Sequence, residues 1–370
     1  MTLKRLKYST DNSLRCVIQG DNQEALRHLI PQFREKVKCV YIDPPYNNGE
    51  KFFYYSDYKE ETNWLKDLTE TTSLLFDLLS DDGSLWISID DGNMPYLKVA
   101  IDGVLGREHF VTTIIWQHRI SRENRAVFSN NHEYILVYAK KPLVFKKKRN
   151  LIPYPPDFKN KNYKNPDNDP RGPWQSVTLS VQAGHAVPTQ FYTIVSPTGV
   201  RHDPPKGRCW IYNENRFREE MALNNIWFGA DGAGVPRVKR FWKDRKKGLT
   251  PETLWLSEYA GTTKDAKAHL LSLFNTETPF DTPKPEKLIY QILSIASNPG
   301  DLVLDCYLGS GSTISTAHKM GRQYIGIEIN PNTIELVKER MQAVVNGENG
   351  GISSIVSWAG GGDFKCFKAE

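Results

Sequence analysis

Apolar residues recur along the chain in two textures. Leu14–Gln19 reads as a strand, and Asn22–Leu29 starts a helix that Asp21 can cap. Val37–Ile42 is a short apolar run bounded by Asp-Pro-Pro, the signature of a buried strand. Trp64–Leu79 carries helical spacing, which Ser80-Asp81-Asp82-Gly83 should break. Ser84–Ile89 predicts a second buried strand and Met94–Leu105 a helix that stops at Gly106. Val111–Trp116 and Tyr134–Tyr138 are β-branched or aromatic and predict strands. The same alternation returns late in the chain. Pro285–Ser297 is helical, Asp301–Asp305 a short strand, and Ser312–Met320 a helix behind a Gly309-Ser310-Gly311 turn. Gln323–Glu328 is a strand, Pro331–Val345 a helix opened by proline, and the tail beyond Gly360-Gly361-Gly362 a final short strand. Strands alternating with helices predict an α/β fold with a doubly wound, mostly parallel sheet.

Residues 142–275 break that rhythm. Proline is frequent there, and Asn, Asp and Lys crowd 157–171. The pattern therefore predicts a catalytic domain made of 1–141 and 276–370, interrupted by a loop-rich region at 142–275. Within the interruption, 201–250 holds twelve Lys or Arg against six Asp or Glu, an excess larger than the +5 of the whole chain. Trp210, Trp227, Phe228, Phe241 and Trp242 are interleaved with those charges. A basic segment studded with aromatics suits a polyanion that carries flat bases.

Composition removes several classes of function. No run of 18 apolar residues exists, so no membrane span is expected, and the first residues lack an apolar signal stretch. Cys16, Cys39, Cys209, Cys306 and Cys366 are scattered and odd in number. That spacing excludes a disulfide framework and a zinc knuckle and predicts a cytoplasmic protein. The eight histidines do not cluster at ligand spacing, so no metal site is expected.

Two motifs carry chemistry. Asp43-Pro44-Pro45-Tyr46 follows the predicted strand Val37–Ile42 and so sits at its carboxyl end, where doubly wound sheets bind ligands. Asp43 offers a carboxylate acceptor, Pro44 a carbonyl, Pro45 stiffness and Tyr46 a flat ring. Together they describe a pocket for an aromatic ring bearing an exocyclic amine. The second motif runs from Asp305 to Thr313, a strand exit followed by Gly309-Ser310-Gly311 and a helix. Glu328 ends the next strand 19 residues after Gly309, the spacing of an acid that holds ribose hydroxyls. The third glycine of the dinucleotide fingerprint is absent, since residue 314 is Ile. The loop thus fits a nucleoside-type cofactor such as S-adenosylmethionine better than a pyrophosphate.

With these motifs in this order, the chain resembles the permuted β group of DNA amino-methyltransferases, and most of all the modification (Mod) subunits of type III restriction–modification systems. The resemblance covers most of the chain: Gly20-Asp21-Asn22, Asp43–Gly49, Ser88–Asp91, Asn131–Lys140, Thr282–Pro285 and Asp305–Thr313 stand in the expected order. It departs at Cys306, Leu308 and Ser312. It implies a site-specific enzyme that moves a methyl group from S-adenosyl-L-methionine to adenine N6 of flipped bases in duplex DNA. N4 of cytosine is the alternative amine, and an inactive DNA-binding module the alternative class. The resemblance further implies Asp305 near the cofactor's amino group, Gly309 and Gly311 against its methionine moiety, and Thr282 and Lys284 at its carboxylate. Glu328 would hold the ribose and Asp21 reach the adenine end. It places DNA recognition in the middle region, where Arg208, Arg237, Lys239, Arg240, Lys243 and Arg245 are the candidate contacts. A second copy of the chain and a restriction subunit are the further partners it implies.

Overall fold

The computed structural model describes residues 14–49, 59–274 and 280–369. The chain divides into two compact units, 1–150 with 251–370, and 151–250. The division falls inside the interruption expected at 142–275: the segments 142–150 and 251–274 pack with the larger unit.

The larger unit is built on nine strands: β1 (Arg15–Gln19), β2 (Val37–Ile42), β3 (Leu79–Ile89), β4 (Phe110–Trp116), β5 (Glu133–Ala139), β6 (Leu254–Trp255), β7 (Leu302–Asp305), β8 (Gln323–Glu328) and β9 (Lys365–Lys368). Their order across the sheet is β6-β4-β5-β3-β2-β7-β8-β1-β9. Only β5 runs against the rest, pairing antiparallel with both β3 and β4. The late strands β7 and β8 lie between the early strands β1 and β2, in parallel register such as Val303 beside Cys39. Chain order and sheet order therefore differ, and Asp43 and Asp305 leave neighbouring strands.

Helices α1 (Asn22–Phe33), α2 (Glu61–Leu78) and α3 (Met94–Leu105) pack side by side on one face. Helices α4 (Pro142–Lys148) and α5 (Thr263–Leu273) follow in the chain. Helices α6 (Glu286–Ala296), α7 (Ser312–Lys319) and α8 (Pro331–Val345) form another layer. Burial on both faces explains the unbroken apolar strands. Val40 and Ile42 join the cluster under α1–α3, while Cys39, Tyr41 and Val303 point the other way and are equally buried. Two local expectations shift. Helix α1 runs through Pro31 to Phe33, because a proline two residues from the end forfeits a single helical hydrogen bond. Ser80–Gly83 does not form a separate break: α2 ends at Leu78 and the chain enters β3 at once.

The smaller unit holds a three-stranded antiparallel sheet of 226–227, 237–241 and 174–178, with two short strand pairs and the helix Glu214–Ala222. Leu179, Ile194, Trp210, Phe217, Ile226, Phe228 and Val238 make its core. Among the described residues no helix of the chain is long and apolar enough to cross a membrane.

Candidate active site

The carboxyl edge of the sheet gathers the predicted site. Asp43 follows β2, Asp305 ends β7, Glu328 ends β8, and Gly20-Asp21 follow β1. Because β5 is reversed, its first residue, Glu133, arrives at this same edge. A cavity of about 400 Å³ opens there, lined by Asp21, Asp43, Thr282, Lys284, Asp305, Gly309 and Glu328 among others. A second cavity, about 1050 Å³, is lined by Asp43, Pro44, Tyr46, His118, Phe128 and Glu133, and shares Asp43, Thr282 and Lys284 with the first.

The smaller cavity is rich in carboxyl groups. Asp21, Asp43, Asp67, Asp305 and Glu328 line it against only Lys59 and Lys284 among the described residues. Asp305 is wholly enclosed, and burial pushes its carboxyl up to about 7, with Asp43 and Glu328 adding repulsion. It accepts bonds from Thr313 Oγ1 at 2.6 Å and from the Tyr307 amide at 2.9 Å. Glu328 is raised by burial too, and takes the Gly309 and Asn330 amides at 2.9 Å. Asp21 caps α1 through the Glu24 amide at 3.0 Å and borders the cavity as well.

The glycine loop closes by a device the motif did not announce. Gly309 and Gly311 have φ of 50° and 79°, a left-handed backbone that side chains resist. Gly311 forms the turn at the start of α7 and does not border the cavity. The third fingerprint glycine is replaced by a glycine on the strand: a Cβ at Gly326 would lie 2.7 Å from Leu308 Cδ2 and 3.1 Å from Ile314 Cγ2. Helix and sheet approach closely because β8, not α7, gives up its side chain.

Beneath the loop lies a buried charge network absent from the sequence reading. Arg340 donates to the Ser310 carbonyl and Ser312 Oγ, both at 3.0 Å, and to Glu286 Oε1 at 3.1 Å. Lys319 bridges Glu286, at 2.8 Å, and Glu348. His269, Glu286 and Glu348 have the donor spacing of a metal site, but Lys319 bridges both carboxylates and Arg340 pairs with Glu286, so the two cations balance the two acids. Its chemistry is that of a brace: Ser312 Oγ also bonds the Lys284 carbonyl at 2.7 Å, tying the loop to the Thr282–Pro285 segment.

At the other motif, Trp64 Nε1 donates to the Pro45 carbonyl at 2.8 Å and Asn93 Nδ2 to the Tyr46 carbonyl at 2.7 Å. Pro44 borders the larger cavity, and its carbonyl takes no hydrogen bond among the described residues. The Tyr46 hydroxyl lies 2.9 Å from Asp43 Oδ1 and 3.0 Å from Glu133 Oε2. Lys284 Nζ lies 2.9 Å and 3.4 Å from the same two oxygens. Burial raises the Asp43 carboxyl, Lys284 opposes the rise, and Glu133 adds to it. Glu133 also faces His118 Nδ1 at 3.7 Å, and burial holds that imidazole below its usual value. Sequence reasoning did not single out Glu133. The available signal was an acid opening the apolar run Glu133-Tyr134-Ile135-Leu136.

The middle-region candidates divide. Lys239 is corrected outright. Its side chain is 0% exposed and bonds Asp167 and, at 3.2 Å, Asp169, so it is a core ion pair and cannot meet a phosphate. Arg245 is held by the Tyr154 hydroxyl at 2.7 Å and by that of Tyr163, with its guanidinium over three aromatic rings. Arg208 bonds Ser180 Oγ at 2.9 Å, and Arg237 is tied to Ser176. Arg240 and Lys243 are exposed and make no ion pair among the described residues.

Residues 37–339 match the family described as DNA methylase, and the chain belongs to that family. It is 32% identical over 333 residues to the Mod subunit of the type III restriction–modification enzyme StyLTI from Salmonella typhimurium, covering 82% of this chain and 49% of that one. It is 30% identical over 330 residues to the type II methyltransferase M.EcaI from Enterobacter cloacae, covering 84% and 66%. Among solved structures, the cytosine-N4-specific PvuII DNA methyltransferase covers 90% of this chain and 94% of its own at 12% identity, with a TM-score of 0.46. The chain spans about half the length of the type III Mod relatives StyLTI and HindVI.

Proposed function

We propose that this chain is a DNA methyltransferase of the permuted β group that methylates adenine N6 in duplex DNA. The observation that carries the reading is the pair of abutting cavities. One is rich in carboxylates and is bordered by Gly309 and Pro45; the other is bordered by Pro44 and Tyr46; Asp43 belongs to both. S-adenosyl-L-methionine, a sulfonium that supplies an activated methyl, matches the first in charge. Asp305 would face its amino group, Thr282 and Lys284 its carboxylate, Glu328 its ribose, and Asp21 its adenine.

On the target side, an exocyclic amine is a weak nucleophile because its lone pair is shared with the ring. Asp43 and the Pro44 carbonyl can each accept one of its N–H bonds, localising the lone pair and stabilising positive charge as it develops. Tyr46 offers the ring against which an extruded base stacks. Duplex DNA is the partner this reading assigns, with the exposed cations of 151–250, Arg240 and Lys243 foremost, on its phosphates. A cytoplasmic enzyme follows from such a substrate. A restriction subunit, as type III systems use, and a second copy of the chain are the further partners in this reading.

The test is direct. Purified protein is incubated with unmethylated genomic DNA and the cofactor, and the digested nucleosides are resolved by mass spectrometry. N6-methyladenine is the expected product, and sequencing of the treated DNA before digestion should place it at one recurrent sequence. N4-methylcytosine would overturn the choice of base, and no methylated base would overturn the activity.

A further inference from the structure

Strands β4 and β5 are antiparallel neighbours, with Trp116 opposite Glu133. Two to five residues suffice to join such a pair, yet 117–132 supplies sixteen. A connection that long on a compact unit calls for a purpose beyond closure. It hangs from the edge that carries Asp43, and Arg119, Phe128 and His132 line the larger cavity beside Asp43 and Tyr46.

Its composition narrows the purpose. Residues 119–128 are exposed without interruption. Arg119, Arg122 and Arg125 stand against Glu123 alone, an excess of positive charge. At the end of that stretch Val127 is 94% exposed and Phe128 88%. Water is an unfavourable neighbour for a phenyl ring, and an apolar tip flanked by arginines complements a polyanion with an apolar, stacked interior. Side chains of this kind enter DNA by wedging between base steps.

We propose that the 117–132 loop is a DNA-insertion element, with Phe128 as the wedge that fills the stack when the target base leaves it. The inference rests on the proposed methylation of duplex DNA and adds what that reading lacks, a means of holding the gap open. The arginines place the loop on the backbone, and the ring replaces the stacking that the extruded base gives up. Extrusion is costly for a paired base and cheapest for an unpaired one. The wedge therefore matters most on a fully paired target.

The test uses the full chain and a duplex carrying the mapped site, with 2-aminopurine at the target position. A second duplex places an abasic site opposite the target. Phe128→Ala should lower the fluorescence gain and single-turnover methylation of the corresponding natural duplex by about tenfold, the scale of removing one base–aromatic stack. The abasic-opposed duplex should be affected far less, and Phe128→Trp should restore the paired one. Unchanged behaviour of Phe128→Ala on the paired duplex would overturn the proposal. So would an equal loss on both duplexes, which would make Phe128 an ordinary contact. If wild-type protein methylates no base, the proposed function fails instead, and the same reactions show it.

Discussion

Lys284 Nζ lies 2.9 Å from Asp43 Oδ1. The cation expected at the cofactor's carboxylate therefore also holds the carboxylate expected at the target amine, and both members of this ion pair line both cavities. Glu133, 3.4 Å from the same ammonium, offers it a second carboxyl group.

In the proposed reaction Asp43 is an acceptor whose worth is realised as the amine becomes cationic. Asp43→Asn keeps the shape but removes the charge. Single-turnover methyl transfer should fall by about 10²–10³-fold, the scale of deleting one preorganised electrostatic partner. Cofactor binding, followed by calorimetry, should change much less, because Asp43 shares the lining of that cavity with Asp21, Asp67, Asp305 and Glu328. A parallel loss of cofactor affinity would place Asp43 on the cofactor instead.

Tyr46 combines a ring with a hydroxyl shared between Asp43 and Glu133. Tyr46→Phe keeps the stacking face and removes only the shared donor, so its defect should be the smaller. Tyr46→Ala loses both, and should cost roughly ten- to hundredfold in single-turnover rate, matching ~1–3 kcal/mol of base–aromatic stacking. Equal rates for the two variants would remove the ring from the account.

Asp305 predicts how cofactor affinity depends on pH. Burial raises its carboxyl to about 7, so the free protein holds a proton there that an unfolded chain would have lost. Folding stability from this group is full at acid pH and is lost as pH rises through 7. A bound cation reverses the preference, since it favours the ionised carboxylate. Affinity should therefore rise with pH up to about 7 and then level, by at most about tenfold per unit. Calorimetry in buffers of different ionisation enthalpy should show proton release below pH 7. Asp305→Asn should bind more weakly and without that pH dependence.

What the sequence disclosed was local. Val37–Ile42 and Asp43–Tyr46 are contiguous, so strand, exit and motif could be read together. The same holds for Leu302–Asp305 with its glycine turn. What it hid is held together across the sheet. Lys284 and Glu133 meet Asp43 only because β5 is reversed and the Thr282–Pro285 segment folds back on the loop through Ser312. The missing third glycine was visible, but its replacement at Gly326 depends on how closely β8 approaches the loop. Charge runs were the least reliable guide, because a lysine's number in a basic segment says nothing of which way it points. Lys239 points into the core of 151–250.

That burial makes Lys239 a stability residue. Its ammonium is shared by Asp167 and Asp169, and Asp169 is also paired with Arg171 at 2.7 Å. Lys239→Met removes one partner of a buried pair and leaves carboxylate charge behind, so chemical denaturation should show a loss of about 3–5 kcal/mol. DNA affinity of the molecules that remain folded should be unchanged. A stable variant with weakened DNA binding would reverse both statements.

Arg240 and Lys243 are the cations of this group left facing solvent, and they carry the electrostatic part of the proposed DNA contact. Each phosphate neutralised by a protein cation releases condensed counterions, so the slope of log K against log salt counts the neutralised phosphates. Replacing both with Gln should flatten that slope by ~0.9 for each phosphate no longer neutralised, and should do so equally for specific and unrelated duplexes. Neither side chain makes an ion pair among the described residues, so thermal stability should hardly move. Cofactor affinity should be unaffected too, because neither residue lines the anionic cavity. Fluorescence anisotropy at several salt concentrations measures the slope. A double variant with the wild-type slope would mean that these cations form a solvated face, and that the phosphates are met elsewhere, with the arginines of the 117–132 loop as the next residues to replace.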